Sequence, residues 1–190
     1  MTIPLPWRQE LGRKAVHLAM GVLPAWLWWA PSELRSRGLV FAFVVVLFAD
    51  LLRRVWKPWA QWIDARSRAY SRQQERHLWV GVHAMILSAW ILSWATSREL
   101  ATACMCYSVF GDAAAALVGK HRNVKPGKSM AGSTACLVVC LAIGLLLFPE
   151  RGGMVVVGAV TATLLERFPG PFNDNLIVPL GTAGVLSFLV

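Results

Sequence analysis

Asp112 is the residue that makes the clearest demand on its surroundings. It stands in Tyr107-Ser-Val-Phe-Gly-Asp-Ala-Ala-Ala-Ala-Leu-Val-Gly-Lys120, a stretch otherwise uncharged until its last residue. A carboxylate among apolar side chains is costly unless something pairs with it or uses it. On a helix, Asp112, Ala116 and Lys120 share one face, with acid and amine about 12 Å apart along the axis. Gly111, Ala115 and Gly119 form the adjacent strip, small enough to admit a ligand or another helix backbone. The following Lys120-His-Arg-Asn-Val-Lys-Pro-Gly-Lys-Ser129 carries four Lys and Arg residues, His121 and no acid. Gly127-Lys128-Ser129 has the form of the end of a P-loop. Position 122, where the full pattern needs glycine, is Arg122, and no soluble strand precedes it, so a P-loop fold is excluded. Phosphate chemistry is not excluded. Lys and Arg neutralise phosphate, a glycine before a helix start leaves backbone N–H groups facing an anion, and Ser129 is the right residue type to cap such a helix.

Two further clusters carry ionisable groups. Glu10, Arg13, Lys14 and His17 recur at i, i+3, i+4 and i+7, which puts all four on one helical face, with Glu10 able to pair with either base. Near the other end, Glu166-Arg-Phe-Pro-Gly-Pro-Phe-Asn-Asp-Asn175 sets Glu166, Asp174 and Asn175 around a Pro/Gly turn. Each cluster also has a plainer reading. Asp112 could be a salt-bridge partner, the basic loop an anchor, His17 a structural histidine, and the last segment a capped turn. Asp50 with Arg53 and Arg54, and Glu75 with Arg76, read as pairs and anchors rather than chemistry.

The elements that must hold these groups are apolar. Of 190 residues, 56% are hydrophobic and 15% charged, against about 25% charged in a soluble domain. There is too little polar surface here to cover a soluble globule of this composition. Ten tryptophans suit a membrane interface. Seven apolar runs stand out: Ala15–Ala30, Gly38–Ala49, Leu78–Ser97, Leu100–Gly119, Ser129–Phe148, Gly152–Leu165 and Asn175–Val190, with Asp112 inside the fourth. A membrane-crossing helix needs about 20 residues. Three runs meet that length and the others recruit flanking residues, the last reaching only part way. The expectation is a single all-α polytopic integral membrane domain over 1–190 with about seven transmembrane helices. Ala15–Ala30 is read as a retained first span, since it has Pro24, Trp26, Trp28 and Trp29 and no clear cleavage site.

Alternating the spans puts fifteen of the nineteen Lys and Arg residues on the side of the N-terminus. By the positive-inside rule that side is cytoplasmic, and seven spans leave the C-terminus outside. The net charge of +9 is then topology and attraction to anionic lipid, not nucleic-acid binding. Within Arg53–His77, Trp56, Trp59, Trp62 and Ile63 recur at helical spacing between basic residues, with Pro58 near the start. This predicts a basic amphipathic helix on the cytoplasmic leaflet. Cys104, Cys106, Cys136 and Cys140 all lie inside apolar runs and read as small apolar filler rather than a metal site. The same alternation brings Arg13–His17, Asp112–Lys128 and Glu166–Asn175 to the cytoplasmic face. Carboxylates that could hold Mg²⁺, beside bases that could take phosphates, suit a reaction between a cytosolic phosphate compound and a membrane lipid.

At these residues the sequence resembles the polyprenol kinase family, which includes dolichol kinase, phytol kinase and the CTP-dependent diacylglycerol kinase of fungi. Glu10-Leu-Gly-Arg-Lys-Ala-Val-His17 is similar to its opening E-x-x-R-K-x-x-H, and Glu75-Arg-His-Leu-Trp-Val-Gly81 to its acid-then-glycine entry to a span. Gly111-Asp112, Ala115, Gly119-Lys120 and Gly127-Lys-Ser-Met-Ala-Gly-Ser133 resemble the central G-D-x-x-A-x-x-x-G-[KR] and K-S-x-x-G-S. Glu166 with Asp174-Asn175 and Val178-Pro179-Leu180 resembles the closing E…D-N-x-x-x-P. The ordered set spans nearly the whole chain. One departure stands at Met130-Ala131, where the family's residue after K-S is usually acidic or larger; it bears on the nucleotide contacts.

The resemblance implies transfer of the γ-phosphoryl group of a nucleotide, CTP rather than ATP, to the hydroxyl of a membrane lipid alcohol, whether polyprenol, phytol-like or diacylglycerol. Asp112 would hold Mg²⁺, with Glu166 or Asp174 as a second acidic contact. Lys120 and Lys128 would neutralise phosphates, with Ser129, Gly119, Gly127 and Asn175 completing the nucleotide site. Arg13 and Lys14 would bind nucleotide or stabilise the transferring group, and His17 or a carboxylate would orient or deprotonate the hydroxyl. The central pattern also resembles CDP-diacylglycerol synthase, whose K-x-x-E-G ending differs from Lys128-Ser-Met-Ala-Gly132. A small transporter is a third reading, though no internal repeat is visible and the polar groups cluster at one face.

Overall fold

The structure is a computed structural model and describes residues 7–67, 80–122 and 128–189. In chain order its helices are α1 Trp7–Ala19, α2 Val22–Trp29, α3 Ser32–Val55, α4 Lys57–Ser67, α5 Val80–Ala95, α6 Arg98–Cys106, a π-helical turn Tyr107–Gly111, α7 Asp112–Arg122, α8 Met130–Leu147, α9 Gly152–Arg167 and α10 Asp174–Leu186. Among the described residues there is no strand, so the all-helical expectation holds.

The described parts of all seven apolar runs lie largely on helices, but the helix lengths differ from the seven-span expectation. Two described helices are long and apolar enough to cross a membrane: the continuous Arg98–Gly119, which joins α6, the π turn and the first part of α7, and Met130–Leu147. The helices α5 and α9 have 16 residues each and α10 has 13. α3 is long enough at 24 residues but carries Asp50, Arg53 and Arg54 in its last turns. The first run is not one helix. It breaks at Met20-Gly21, because Pro24 has no N–H for the Met20 carbonyl. Leu23 N–H takes that carbonyl instead at 2.9 Å, after tight turns from Met20 to His17 and from Gly21 to Leu18. The break lets α1 lie against α7 and the π turn while α2 packs on α6.

Two apolar cores hold the bundle. One gathers Leu27, Leu39, Met85, Leu92, Met105 and Leu186 from α2, α3, α5, α6 and α10. The other packs Tyr107, Cys136, Cys140, Ala159, Ala162 and Val178 between the π turn, α8, α9 and α10. All four cysteines are free thiols, three of them buried, in keeping with their reading as filler. The outward surface is apolar too. Phe41, Val44, Val45 and Phe48 on α3, Leu145 and Leu146 on α8, and Val156, Val160 and Leu164 on α9 are all exposed. Only 28% of the α8 segment is buried inside the protein, far more uncovered apolar surface than a helix in water tolerates.

The strip Gly111, Ala115 and Gly119 admits a helix. A Cβ on Gly132 would stand 2.6 Å from the Ala115 carbonyl oxygen, and one on Gly111 3.0 Å from the sulfurs of Cys136 and Cys140. The part of the basic amphipathic segment that the structure describes, Lys57–Ser67, is helical as α4, and 68–77 lies outside the described residues. Ile63 is buried, Trp59 donates its indole N–H to the Ala49 carbonyl at 3.1 Å and stacks on Trp62, and Trp56 and Trp62 face outward.

Candidate active site

Asp112 is the first residue after the π turn. Such a turn is wider than an α turn and shifts the phase of the helix beyond it. Here Gly111 closes on Cys136 and Cys140 of α8, while Asp112 turns to α1. Lys14 reaches it from 98 residues away in sequence, its Nζ 2.6 Å from Oδ2 and 3.4 Å from the Asp112 backbone carbonyl. His17 Nε2 stands 3.2 Å from the same Oδ2. It is buried and makes no hydrogen bond among the described residues. The imidazole also faces the backbone of Ser108 in the π turn. Lys14 is buried, with 3% of its side chain exposed, whereas Asp112 keeps 19%. The ion pair is thus closed on the α1 side and open on another. Helical spacing puts Lys120 on the face of Asp112, about two turns on; the described amine that contacts Asp112 is Lys14 of α1. The side chains of Arg13 and Lys120, and Gly127 altogether, lie outside the described residues.

The second cluster ties α8 to α9 and α10. Lys128 Nζ is 2.8 Å from Glu166 Oε1 and 3.9 Å from Asp174 Oδ2, and it also donates to the Glu166 backbone carbonyl. Glu166 is nearly fully buried, and its Oε2 has no hydrogen-bond partner among the described residues. The two clusters are one electrostatic unit: Lys128 and Glu166 both act on Asp112, and Asp174 acts on His17. The Asp112 cluster, built from α1 and α7, and the Lys128 cluster, built from the residues before α8 and from α9 and α10, thus lie within electrostatic reach of each other.

Neighbouring groups fix this arrangement. Ser129 caps α8, its Oγ accepting the Gly132 N–H at 3.0 Å, and Gly119 lies so close that a Cβ there would touch that Oγ at 2.9 Å. Asn173 caps α10 by accepting the Asn175 N–H at 2.9 Å. Pro179 leaves the Asn175 carbonyl without its helical N–H, and Ser88 Oγ of α5 donates to it at 2.9 Å. Asn175 Nδ2 donates to the Gly81 carbonyl at 3.2 Å. Asn175, expected among the nucleotide contacts, thus commits its amide nitrogen to α5 and holds Asp174 in register.

Among the described residues no three His, Cys, Asp or Glu side chains form a complete metal-binding set. Mg²⁺ does not need one, since it binds through one or two carboxylates and fills its octahedron with phosphate oxygens and water. Asp112 and Glu166 are donors of that hard type, and the unpartnered Oε2 of Glu166 is a buried oxygen with coordinating capacity unused.

Three residues here escape a motif-based reading. Arg167 enters the sequence only as a charge, yet its Nη1 donates to Ser133 Oγ at 2.9 Å. His83 lies in an apolar run and stands with Nδ1 3.6 Å from the buried Asp50; an ionisable group inside a span is itself the signal. Ser88 could be sought from Pro179, which must leave one carbonyl to be satisfied from elsewhere.

No family model matches the chain, and no solved structure matches it. CTP-dependent diacylglycerol kinase 1 of Schizosaccharomyces pombe is 23% identical over 220 aligned positions that take in the whole of both chains. The chain is similar to CTP-dependent diacylglycerol kinases. The protein of that name from Saccharomyces cerevisiae is 27% identical over 140 positions, covering 70% of this chain and 48% of its own length. Similarity to CTP-dependent diacylglycerol kinase 1 bears out the resemblance carried by the ordered motifs.

Proposed function

We propose that this protein is a membrane-embedded lipid kinase that transfers the γ-phosphoryl group of CTP to the hydroxyl of a membrane lipid alcohol, with diacylglycerol the acceptor favoured by its relatives' names. The observation that carries this reading is the convergence of Lys14 and His17 on Asp112, within electrostatic reach of the Lys128, Glu166 and Asp174 cluster, in a chain similar to such a kinase over its full length. The uncovered apolar surface supports a bilayer setting, and the asymmetry of Lys and Arg supports seven crossings with the site cytoplasmic and the C-terminus outside.

In this reading the lipid hydroxyl oxygen attacks the γ-phosphorus, the bond to the β,γ-bridging oxygen breaks, and CDP leaves. The hydroxyl proton passes to His17 Nε2, whose positive charge the Asp112 carboxylate at 3.2 Å then stabilises. Lys14 and Lys128 face the phosphate oxygens and balance charge in the transition state. Phosphoryl transfer depends mainly on positioning and electrostatics, which a set fixed by five helices supplies. Mg²⁺, held by Asp112 with Glu166 or Asp174, would screen the β- and γ-phosphates.

The test is incubation of the purified protein in detergent with Mg²⁺, γ-labelled CTP or ATP, and a panel of diacylglycerol, phytol and polyprenol, followed by chromatography of the lipids. Label in a lipid phosphate is the expected result and names donor and acceptor together. Release of labelled pyrophosphate that depends on CTP and phosphatidate would overturn the kinase reading in favour of a cytidylyltransferase.

A further inference from the structure

Arg167 is the last residue of α9 and comes directly after Glu166, yet the two side chains serve different neighbours. Glu166 turns to Lys128. Arg167 crosses to the first turn of α8 and donates from Nη1 to Ser133 Oγ at 2.9 Å. Its guanidinium also lies 5.4 Å from the centre of the Phe168 ring. The hydroxyl and the ring restrain the side chain from two directions, which removes much of the entropy that an arginine otherwise loses on binding.

Its charge is balanced differently from those of its neighbours. Lys14 and Lys128 each touch a carboxylate. Arg167 touches no carboxylate among the described residues; its contacts are a hydroxyl and an aromatic face. A guanidinium has five N–H donors, and one is used here. Ser133 is itself held by its bond to the Ser129 carbonyl at 3.3 Å, and Ser129 caps α8. The guanidinium is thereby fixed beside the start of α8, where unpaired backbone N–H groups add to a positive field.

We infer that Arg167 is a phosphate-binding residue for the donor nucleotide, positioned by Ser133 against the Ser129 cap that directly follows Lys128. This rests on the kinase reading for the identity of the nucleotide, not for the anion chemistry. A planar fork binds two oxygens of one phosphate at once, which suits the polyphosphate of CTP more than a carboxylate-neutralised pair does.

The experiment has two arms. In the first, isothermal titration of the whole detergent-solubilised protein with inorganic tripolyphosphate is expected to give binding that weakens about tenfold in Arg167→Gln and about threefold in Ser133→Ala, with Arg167→Lys between wild type and Arg167→Gln. In the second, the KM for CTP rises about tenfold in Arg167→Gln while the KM for diacylglycerol is unchanged. Equal tripolyphosphate affinity in wild type and Arg167→Gln, with only a lowered melting temperature, would make Arg167 a structural tie and overturn the proposal. So would a rise in the KM for the lipid with that for CTP unchanged, which would assign Arg167 to the lipid headgroup. Arg167-dependent anion binding without label transfer to any lipid would reject the kinase reading and leave Arg167 standing. Label transfer with Arg167-independent binding would do the reverse.

Discussion

Asp50 near the end of α3 and Asp112 at the start of α7 stand in similar company. Each lies in an apolar helix, and each faces a histidine and a basic side chain. Asp50 has Arg53 at 3.4 Å and His83 at 3.6 Å; Asp112 has Lys14 at 2.6 Å and His17 at 3.2 Å. They differ in access and in the origin of the partners. The Asp50 side chain is wholly buried, Arg53 comes from the next turn of the same helix, and His83 meets the ring of Phe43 edge-on. Asp112 keeps about a fifth of its side chain exposed, and both its partners come from α1. A buried carboxylate must be compensated in either case. What separates them is whether a substrate can reach the compensated group. Asp50 fastens α3 to α5, whereas Asp112 is held ready at an opening.

The largest effect expected from breaking this contrast is at Asp112. Asp112→Asn keeps the shape, weakens the hold on Lys14 and removes the negative charge. Turnover in the labelled-CTP assay should fall by about 10³-fold or more, while the variant still inserts, purifies and elutes as wild type. Full activity in Asp112→Asn would remove the aspartate from the chemistry. Asp50→Asn should behave in the opposite way. It removes the buried negative charge that Arg53 faces, which costs about 3 kcal/mol, seen as a melting temperature lowered by about 6–12 °C in detergent. Activity per folded molecule should stay within about threefold of wild type. An Asp50→Asn variant that melts normally but turns over slowly would put a second functional aspartate on the map.

The histidines sharpen the same comparison with a smaller effect. His17→Asn should lower kcat by about 10- to 100-fold through loss of the proton acceptor and leave the KM for CTP nearly unchanged. His83→Asn should change stability and leave kcat within about twofold. Equal effects on kcat from both variants would dissolve the distinction between an open and a closed cluster.

The contrast is partly legible in the residues themselves. Asp112 declares itself by standing in an apolar run, and the Gly111, Ala115, Gly119 strip foretells a close helix, which proves to be α8. Asp50 with Arg53 is readable as a pair because its partner is local, three residues on. The amine on Asp112 is not readable in the same way. Lys14 is 98 residues away, and local spacing carries no information about which distant helix docks. The π turn is hidden for a related reason, since it sits where Gly111 packs against two sulfurs of another helix. The break before α2 has a local cause in Pro24, but averaging hydropathy over Ala15–Ala30 erases a single missing N–H. His83 is easily passed over because an apolar run draws attention to its length rather than to the one polar residue inside it.

Ser129 gives the smallest and most discriminating test, because it belongs to the open region yet is already occupied. Its position beside Lys128 suggests a phosphate contact, but its Oγ accepts the Gly132 N–H at 3.0 Å, and a Cβ on Gly119 would press on the same atom. The cap uses the oxygen as acceptor and leaves its O–H, but the hydroxyl is buried and pressed by Gly119 and Gly132, which limits what a nucleotide can reach. Ser129→Ala should therefore cost about 1 kcal/mol of stability through the lost cap and change the KM for CTP less than about twofold. Ser129→Asp restores a capping acceptor, so its melting temperature should recover toward wild type. Its added negative charge would meanwhile face Lys128 and raise the KM for CTP, provided that the lysine meets phosphate. If Ser129→Ala instead raised that KM about tenfold at an unchanged melting temperature, the hydroxyl would be a ligand, and the open cluster would extend one residue further into α8.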